Sequence, residues 1–89
     1  MEKWEVIFTR QAVKDYELIK AAGLSDRVRK LAAVLEGNPF QNPPPYEKLV
    51  GNLEGKYSRR INIHHRLVYS VDQEHRQIKV LRLWTHYER

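Results

Sequence analysis

The hydrophobic positions of this chain change their period twice, from two to about 3.6 and back to two. Residues 4–9 alternate large apolar side chains with others and predict a strand. Its inward members are Trp4, Val6 and Phe8. Thr9 can cap a following helix, and Gly23 can end it. The inner stripe of this predicted helix contains Ala12, Tyr16 and Ile19, with Val13 beside them.

A second helix is predicted after residue 24, with Ser25 as its cap and Gly37 and Pro39 at its end. Its inner positions are Val28, Leu31, Ala32 and Leu35. Because only three residues, 22–24, join the two helices, we expect them to form an antiparallel hairpin.

The second half of the chain is rich in strand-forming residues. It opens with four prolines in residues 38–45, which are predicted to be neither helix nor central strand. The predicted strands that follow are 57–63, 66–71 and 77–84. The last strand is expected to bury Ile78, Val80 and either Leu81 or Leu83. The order β-α-α-β-β-β predicts one α+β domain over residues 1–89, a small antiparallel sheet with the helical hairpin packed on one face.

Length and composition narrow the class of protein. A chain of 89 residues leaves room for one small core. The absence of cysteine excludes a disulfide framework and a thiolate metal site. The first residues lack the layout of a signal peptide, and no apolar run approaches the roughly 20 residues that span a bilayer. We therefore expect a soluble, cytoplasmic protein.

The charge of the chain is unevenly distributed. Residues 56–89 contain eight Lys/Arg and three Asp/Glu, whereas residues 1–55 contain eight of each. The whole formal net charge of +5 therefore belongs to the last third. Such segregation favours an anionic partner, such as nucleic acid, an acidic protein or a lipid surface.

Two residues are candidates for acid–base chemistry. Glu47 follows the proline-rich segment and is the only acidic residue between Glu36 and Glu54. A solvated loop carboxylate is the simpler interpretation of this residue alone. The functional interpretation is a general base, held by a stiff loop beside a basic sheet. His86 follows the last predicted strand with Tyr87 beside it, and histidine is well suited to donate a proton near neutral pH.

Arginines occur on two neighbouring predicted strands. Arg59 and Arg60 project to opposite faces, and Arg66 begins the next strand, so one arginine from each strand can share a surface. Such a cluster can bind a phosphodiester and stabilise the charge of its transition state, although an ordinary basic sheet face would show the same pattern. Four tyrosines can stack on bases, namely Tyr46, Tyr57, Tyr69 and Tyr87.

The remaining histidines, His64, His65 and His75, lie at predicted turns and are expected to be exposed. They are adjacent or scattered, without the spacing of paired ligands on one element. No metal and no cofactor is therefore predicted. An enzyme built from these residues would use acid–base and electrostatic catalysis.

Two blocks at a fixed spacing resemble a known family. They are Ser58-Arg59-Arg60-Ile61 and His65-Arg66-Leu67-Val68-Tyr69, followed by a closing His86-Tyr87. With these blocks the chain resembles the Txe/YoeB toxins of the RelE/ParE superfamily of bacterial toxin–antitoxin modules. The resemblance covers the whole chain in length and element order, and its specific matches lie within residues 46–87. It implies a RelE-like fold.

The resemblance also implies an activity. Toxins of this kind are ribosome-dependent mRNA endoribonucleases, or mRNA interferases, that inhibit translation by cleaving in the A site without a metal. The 2′-hydroxyl attacks the adjacent phosphate and leaves a 2′,3′-cyclic phosphate. The implied catalytic residues are Glu47 as general base, His86 as general acid, Arg66 as stabiliser of the phosphorane, and Tyr87 as a residue that helps to place the substrate.

The implied RNA or phosphate contacts are Arg59, Arg60, Lys48 and Tyr57. Arg59 and Arg60 match a pair that contributes to RNA and active-site contacts. Lys48 stands in for a lysine that the family usually carries two positions later, in Pro-Glu-x-Leu-Lys. Two further departures from the family pattern are His64, where an acidic residue is common, and Glu88-Arg89, which extend the chain beyond His-Tyr.

The implied partners are the ribosome, mRNA and a cognate acidic antitoxin similar to YefM or Phd. A homodimer is compatible with the resemblance, but this sequence does not decide it. Two other interpretations stay open: a ParE-like toxin that poisons DNA gyrase, and a non-catalytic basic module that binds RNA or an acidic protein. Retention of Glu47, Arg66 and His86 together argues against the gyrase poison.

Overall fold

The computed structural model describes residues 3–85, in which two helices cover one face of a five-stranded sheet. The helices are α1 (Arg10–Ala21) and α2 (Ser25–Gly37). The strands are β1 (Glu5–Phe8), β2 (Tyr46–Lys48), β3 (Lys56–Arg60), β4 (Arg66–Asp72) and β5 (Gln77–Thr85), in the spatial order β1-β5-β4-β3-β2. The predicted α+β class is confirmed. Neither helix of this described part is long and apolar enough to cross a membrane.

The sheet is mixed rather than wholly antiparallel. The three C-terminal strands form the predicted meander, but β1 runs parallel to β5, with Glu5 opposite Gln77 and Phe8 opposite Val80. Alternation of apolar side chains does not encode the direction of a neighbouring strand. A parallel neighbour also needs a long connection between the strands, and nearly the whole chain separates these two.

The strand β2 was not expected. The segment 38–45 is irregular, as predicted, but the next three residues pair antiparallel with β3 at the edge of the sheet. In this register Tyr46 lies opposite Arg59, and Glu47 lies opposite Ser58. A three-residue strand is too short to leave a recognisable alternation in the sequence.

The helix starts differ in their capping. Thr9 caps α1 as predicted, because its Oγ1 accepts a hydrogen bond from the backbone N–H of Ala12 at 3.2 Å. The prediction for Ser25 is wrong. Leu24 occupies the N-cap position of α2, without a side-chain cap, and Ser25 is the first helical residue.

One hydrophobic core lies between the helices and the sheet. Its buried members are Ala12, Ile19, Val28, Leu31, Leu35, Ile61, Leu67, Tyr69, Ile78, Val80 and Leu83. The structure chooses Leu83 over Leu81 because β5 is bulged. Val68 pairs with Arg82 and Tyr69 with Val80, so Leu81 has no partner in the β4–β5 ladder and the alternation shifts by one residue.

Candidate active site on the open face of the sheet

The face of the sheet opposite the helices collects the polar side chains of three strands. Successive side chains of a strand alternate between faces, and directly opposed residues share a face. Ser58 lies opposite both Glu47 and Val68, and Arg60 lies opposite Arg66. These five residues therefore lie on one side of the sheet, which we call the open face.

A polar pocket of about 190 Å³ lies on this open face. It is lined by Pro45, Tyr46, Glu47, Ser58, Arg60 and Arg66. The pocket thus unites residues of β2, β3 and β4 that lie up to 20 positions apart in the sequence. A larger groove of about 450 Å³, lined mainly by apolar side chains of β1, α1 and α2, lies on the helical side and contains none of the candidate catalytic residues.

Glu47 and Arg66 form an ion pair in the polar pocket. The Arg66 Nη1 lies 3.2 Å from the Glu47 Oε1 and donates a second, longer hydrogen bond to the Ser58 Oγ at 3.5 Å. The Glu47 side chain is 66% exposed, whereas that of Arg66 is only 22% exposed. An exposed pair contributes little to stability, typically about 0–1 kcal/mol, so its value lies in placing a carboxylate beside a fixed positive charge.

Arg60 and Arg66 lie directly opposite each other on β3 and β4. Like charges at opposed positions of a sheet destabilise it. Glu47 compensates this repulsion in part through its contact with Arg66. A phosphate group would compensate it further, because guanidinium groups match phosphate oxygens in geometry as well as in charge. The pair of arginines is therefore suited to bind an anion.

Arg59 does not share this surface. Its residue is only 1% exposed, and its guanidinium donates hydrogen bonds to the backbone carbonyl oxygens of Pro39, Gln41 and Pro44 at 2.8, 3.0 and 2.6 Å. Arg59 therefore lies outside the Glu47–Arg66 pocket, and its expected contact with RNA stays a prediction. The physical reason is the alternation of β3, which turns Arg59 towards the helical side of the sheet together with its neighbours two positions away.

Tyr57 and Lys48 are also separated from the pocket. They lie opposite each other on β3 and β2, one residue away from Ser58 and Glu47, so alternation turns them to the other face. The ring of Tyr57 packs against Phe40, Tyr46 and Tyr69, with centroid separations of 5.3, 5.9 and 5.6 Å. The predicted RNA contacts of these two residues therefore do not belong to the Glu47–Arg66 pocket.

The histidines behave differently from one another. His64 is exposed, as expected, and His75 contacts Asp72 at 2.9 Å in an exposed turn, a hydrogen bond that lowers the pKa of Asp72. His65 is instead half-buried and stacks on Trp84, with ring centroids 3.8 Å apart. The expectation of exposure was wrong for His65 because its turn folds against the end of β5. Within residues 3–85, no three His, Asp or Glu side chains are grouped to hold a metal ion.

The end of β5 is fixed by a buried carboxylate from α1. Asp15 is 3% exposed, and its Oδ2 accepts hydrogen bonds from Arg82 Nε at 2.8 Å and from the backbone N–H of Leu83 at 3.0 Å. Burial favours a higher pKa for Asp15, but these bonds, with weaker ones from Gln11 and Trp84, together hold it below the ordinary value. The bulged strand end therefore has a charged anchor on the helical side.

The chain beyond this anchor carries two of the predicted catalytic residues. Thr85, the last residue of β5, lies opposite Arg66 in the sheet. His86 and Tyr87 follow it directly in the sequence, and they lie outside the described residues, as do Glu88 and Arg89. The backbone that leads to His86 is thus adjacent to the arginine of the pocket.

Sequence reasoning missed Asp15 and Ser58, and a signal existed for Asp15. It lies between Ala12 and Ile19 at helical spacing, so it interrupts the apolar stripe with a charge. A carboxylate in a core position implies buried hydrogen-bond donors. Ser58 left no such signal, because a small polar side chain suits either face of a strand.

Comparison with known proteins defines first the class and then the family. The fold is that of RelE/YoeB-like toxins: a YoeB/ParE toxin from Agrobacterium tumefaciens aligns with a TM-score of 0.84 at 28% identity, over 93% of this chain and 99% of that one. The family described as YoeB-like toxin of bacterial type II toxin-antitoxin system matches residues 8–87. The chain therefore belongs to this family of toxins.

Individual relatives agree with this assignment. A curated Toxin YoeB from Synechocystis sp. is 32% identical over 87 residues, which is 96% of this chain and 99% of the relative. The toxin of a YoeB-YefM complex from Staphylococcus aureus has 34% identity and a TM-score of 0.78, and covers 94% of this chain and 98% of its own. A structure of the YoeB dimer from the same organism has 36% identity, the same TM-score and the same coverage.

Proposed function

We propose that this toxin is a ribosome-dependent endoribonuclease that cleaves mRNA in the ribosomal A site by metal-independent acid–base catalysis. The observation that carries the proposal is the pocket of the open face, where the Glu47 carboxylate lies 3.2 Å from Arg66 and shares the lining with Arg60. A base beside two phosphate-binding groups is the minimum that attack by a neighbouring 2′-hydroxyl requires. Membership of the YoeB-like family supports the same chemistry.

In the proposed reaction, Glu47 accepts the proton of the 2′-hydroxyl as its oxygen attacks the adjacent phosphorus. The exposure of the Glu47 side chain leaves it accessible to a nucleotide. Arg66 is the partner of Glu47 in the free protein, so an incoming phosphate competes for the same guanidinium. Binding of the phosphate would therefore loosen the ion pair and leave the carboxylate free to accept a proton.

Arg66 then stabilises the extra negative charge of the phosphorane, with Arg60 as the second cation of the pocket. The low exposure of Arg66 suits this role, because a partly desolvated charge interacts more strongly with a developing anion. Its hydrogen bond to Ser58 and its strand position limit the orientations that the guanidinium can adopt.

His86 donates a proton to the leaving 5′-oxygen in this proposal, and Tyr87 helps to place the substrate. The products are a 2′,3′-cyclic phosphate and a 5′-hydroxyl. The support for His86 is that Thr85, the residue before it, lies opposite Arg66.

The ribosome supplies what a small and open site lacks. In-line attack needs a backbone geometry that free RNA seldom adopts, and correct orientation can lower a barrier by roughly 7–11 kcal/mol. General acid–base catalysis contributes about 10²–10⁴-fold. The pocket is shallow and its base is exposed, so we infer that a large part of the rate enhancement comes from substrate held by the ribosome.

The proposed inhibitor is an acidic antitoxin from the same operon. The relative from Staphylococcus aureus forms a complex with YefM, and this chain carries its excess positive charge in residues 56–89. An acidic, partly disordered segment that folds over the open face would neutralise Arg60 and Arg66. The dimer of the same relative makes a homodimer a further proposal for this chain.

The test is primer extension on an mRNA in a reconstituted translation reaction, with and without ribosomes. We expect the wild type to cut only when ribosomes are present. Glu47→Gln and His86→Ala should each slow cleavage by about 10²–10⁴-fold, since each removes one proton transfer. Glu54→Gln is the matched control, because Glu54 is an exposed carboxylate outside the pocket. This variant should cleave mRNA like the wild type.

Other outcomes would favour one of the alternative functions. Full cleavage by Glu47→Gln would remove this residue from the mechanism. A folded wild type that arrests growth without cutting mRNA would favour a gyrase poison, which a supercoiling assay then tests. Binding to RNA without cleavage, undiminished or improved in Glu47→Gln, would indicate a non-catalytic basic module.

A further inference from the structure

We propose that Arg59 is a positioning residue that holds the proline-rich segment 38–45 and thereby sets the place of Glu47 in the pocket. The proposal rests on the proposed function of Glu47 and adds a residue to that site. It replaces the phosphate contact expected for Arg59 from the sequence. Arg59 touches neither the pocket nor the open face, so its effect on catalysis would be indirect.

The segment 38–45 depends on donors from elsewhere in the protein. Its four prolines have no N–H group, and its carbonyl oxygens form no strand ladder. The guanidinium of Arg59 donates to three of these oxygens, those of Pro39, Gln41 and Pro44. The hydroxyl of Tyr69 donates to the Pro39 oxygen as well, at 2.9 Å. Within residues 3–85, Arg59 thus donates three of the four hydrogen bonds that the carbonyl oxygens of this segment accept from outside it.

The environment of Arg59 shows that the arrangement is costly and specific. The residue is 1% exposed, and it forms no ion pair with a carboxylate within residues 3–85. Its charge is balanced by carbonyl dipoles and by the aromatic faces of Tyr46 and Tyr69, at 5.0 and 5.9 Å from the guanidinium carbon. Lysine could not replace it, because an ammonium lacks the planar fork that reaches three acceptors at once.

The connection to Glu47 is short. Pro44 accepts the shortest of the three bonds, and Glu47 follows three residues later. Tyr46, between them, lies opposite Arg59 in the ladder and packs on its guanidinium. The strand β2 has three residues and lies at the sheet edge, so pairing with β3 alone gives it little stability. We infer that loss of the Arg59 contacts would let Glu47 shift relative to Arg66.

The experiment compares wild type, Arg59→Lys and the matched control Arg29→Lys. Arg29 is an exposed arginine of α2, so its replacement should change neither the cleavage rate nor the rate of amide hydrogen exchange. Two quantities are measured on purified protein: single-turnover cleavage against ribosome concentration, and amide hydrogen exchange by peptide. Arg59→Lys should lower the cleavage rate of bound complexes about 100-fold, the effect of a misplacement near 1 Å, and should leave ribosome affinity within about twofold.

Exchange gives a readout that does not depend on activity. In Arg59→Lys, peptides that cover residues 38–50 should exchange faster, whereas those of β4 and β5 should not change. Tyr69→Phe serves as a second, milder variant, because it removes one bond to Pro39 and keeps the buried ring. It should accelerate exchange in the same segment by a smaller factor and slow cleavage less, which keeps the test open if Arg59→Lys does not fold.

Each outcome decides one of the two proposals. Reduced ribosome affinity with a normal rate for bound complexes would make Arg59 an RNA contact and overturn the positioning role. Normal cleavage in Arg59→Lys, whatever the exchange, would overturn it too. Slower cleavage with unchanged exchange in residues 38–50 would also contradict it. A wild type that never cleaves would defeat the proposed function alone, and exchange would still decide whether Arg59 holds the segment.

Discussion

Arginine side chains have different environments on the two faces of the sheet. On the helical face, Arg59 is buried and each of its bonds goes to a backbone oxygen of one segment. On the open face, Arg60 is exposed and lies opposite a second arginine, Arg66, which forms an ion pair with Glu47. Adjacent arginines of one strand therefore have opposite environments: Arg59 is enclosed by backbone carbonyl groups, and Arg60 lies in an exposed position suited to an anion.

This contrast shows where stability and activity are located. The helical face encloses the apolar core and buried polar groups that are mostly hydrogen-bonded, although the Nε of Arg59 has no partner within residues 3–85, so most substitutions there should act on folding. The open face has an exposed carboxylate, Glu47, and two arginines at opposed positions, an arrangement that costs stability and would suit the proposed catalysis. Substitutions on the open face should therefore change cleavage or binding with little effect on the free energy of unfolding.

The largest effect on folding is expected from the helical face. Leu83→Ala should lower the free energy of unfolding by about 2–5 kcal/mol, because Leu83 is fully buried in the core and its truncation leaves a cavity. Urea denaturation followed by circular dichroism measures this. Leu81→Ala, at the half-buried bulge position, is the control and should cost clearly less. Equal losses would contradict the assignment of Leu83 to the core.

Asp15 should give an intermediate effect that depends on pH. Its pKa is lowered in the folded state, so its stabilising contribution is present above the ordinary aspartate pKa of about 4 and is lost as pH falls through the lower folded value. Asp15→Asn leaves buried donors poorly satisfied and should lower the free energy of unfolding by roughly 1–3 kcal/mol at pH 7. The difference from wild type should shrink in acid.

Urea midpoints of the two proteins between pH 2.5 and about 7 test this prediction. Asp72→Asn is the matched control, since Asp72 also has a lowered pKa but is exposed, and its carboxylate contacts His75 of its own turn. A pH-independent difference between wild type and Asp15→Asn would contradict a stabilising role of the ionised carboxylate.

The smallest effect on stability is expected at Arg60. Arg60→Gln removes one member of the opposed arginine pair, so the free energy of unfolding should change by no more than about 0.5 kcal/mol. Ribosome affinity should fall, and the slope of log affinity against log salt should become shallower by about 0.7 if one RNA phosphate contact is lost. Binding titrations at several salt concentrations measure both. An unchanged slope would exclude a phosphate contact by Arg60.

Much of the fold followed from patterns within single elements. The helical period predicted both helices, Thr9 marked the start of the first, and alternation predicted β1 and the three C-terminal strands. The predictions failed for features that depend on pairing between segments distant in the sequence. The parallel pairing of β1 with β5 depends on how distant segments meet, and the edge strand at Tyr46–Lys48 forms only because β3 offers it a partner. The bulge that selects Leu83 likewise exists only in the pairing of β4 with β5.

The residues of the candidate site could largely be predicted from the sequence, but which of them lie on the same face of the sheet could not. Glu47 is predicted because it is the only acidic residue between Glu36 and Glu54, and Arg66 because arginines occur on neighbouring predicted strands; the family resemblance implies both. The structure brings the two side chains into contact. Arg59 and Arg60 could be assigned to opposite faces by alternation, but the sequence alone did not say which one faces the helices. That choice follows from Ile61 and Tyr57, which share the face of Arg59 and join or pack against the core.

The parallel pairing of β1 with β5 has a consequence for the order of events during synthesis. The ladder joins residues about 72 positions apart, from Glu5 to Gln77, so the first strand leaves the ribosome long before its partner exists. Contacts of such sequence separation form late and slowly. An incomplete nascent chain therefore lacks a finished sheet, and it also lacks the strand that leads to His86. On the proposed function, the chain can cleave mRNA only after both β5 and His86 have been synthesised.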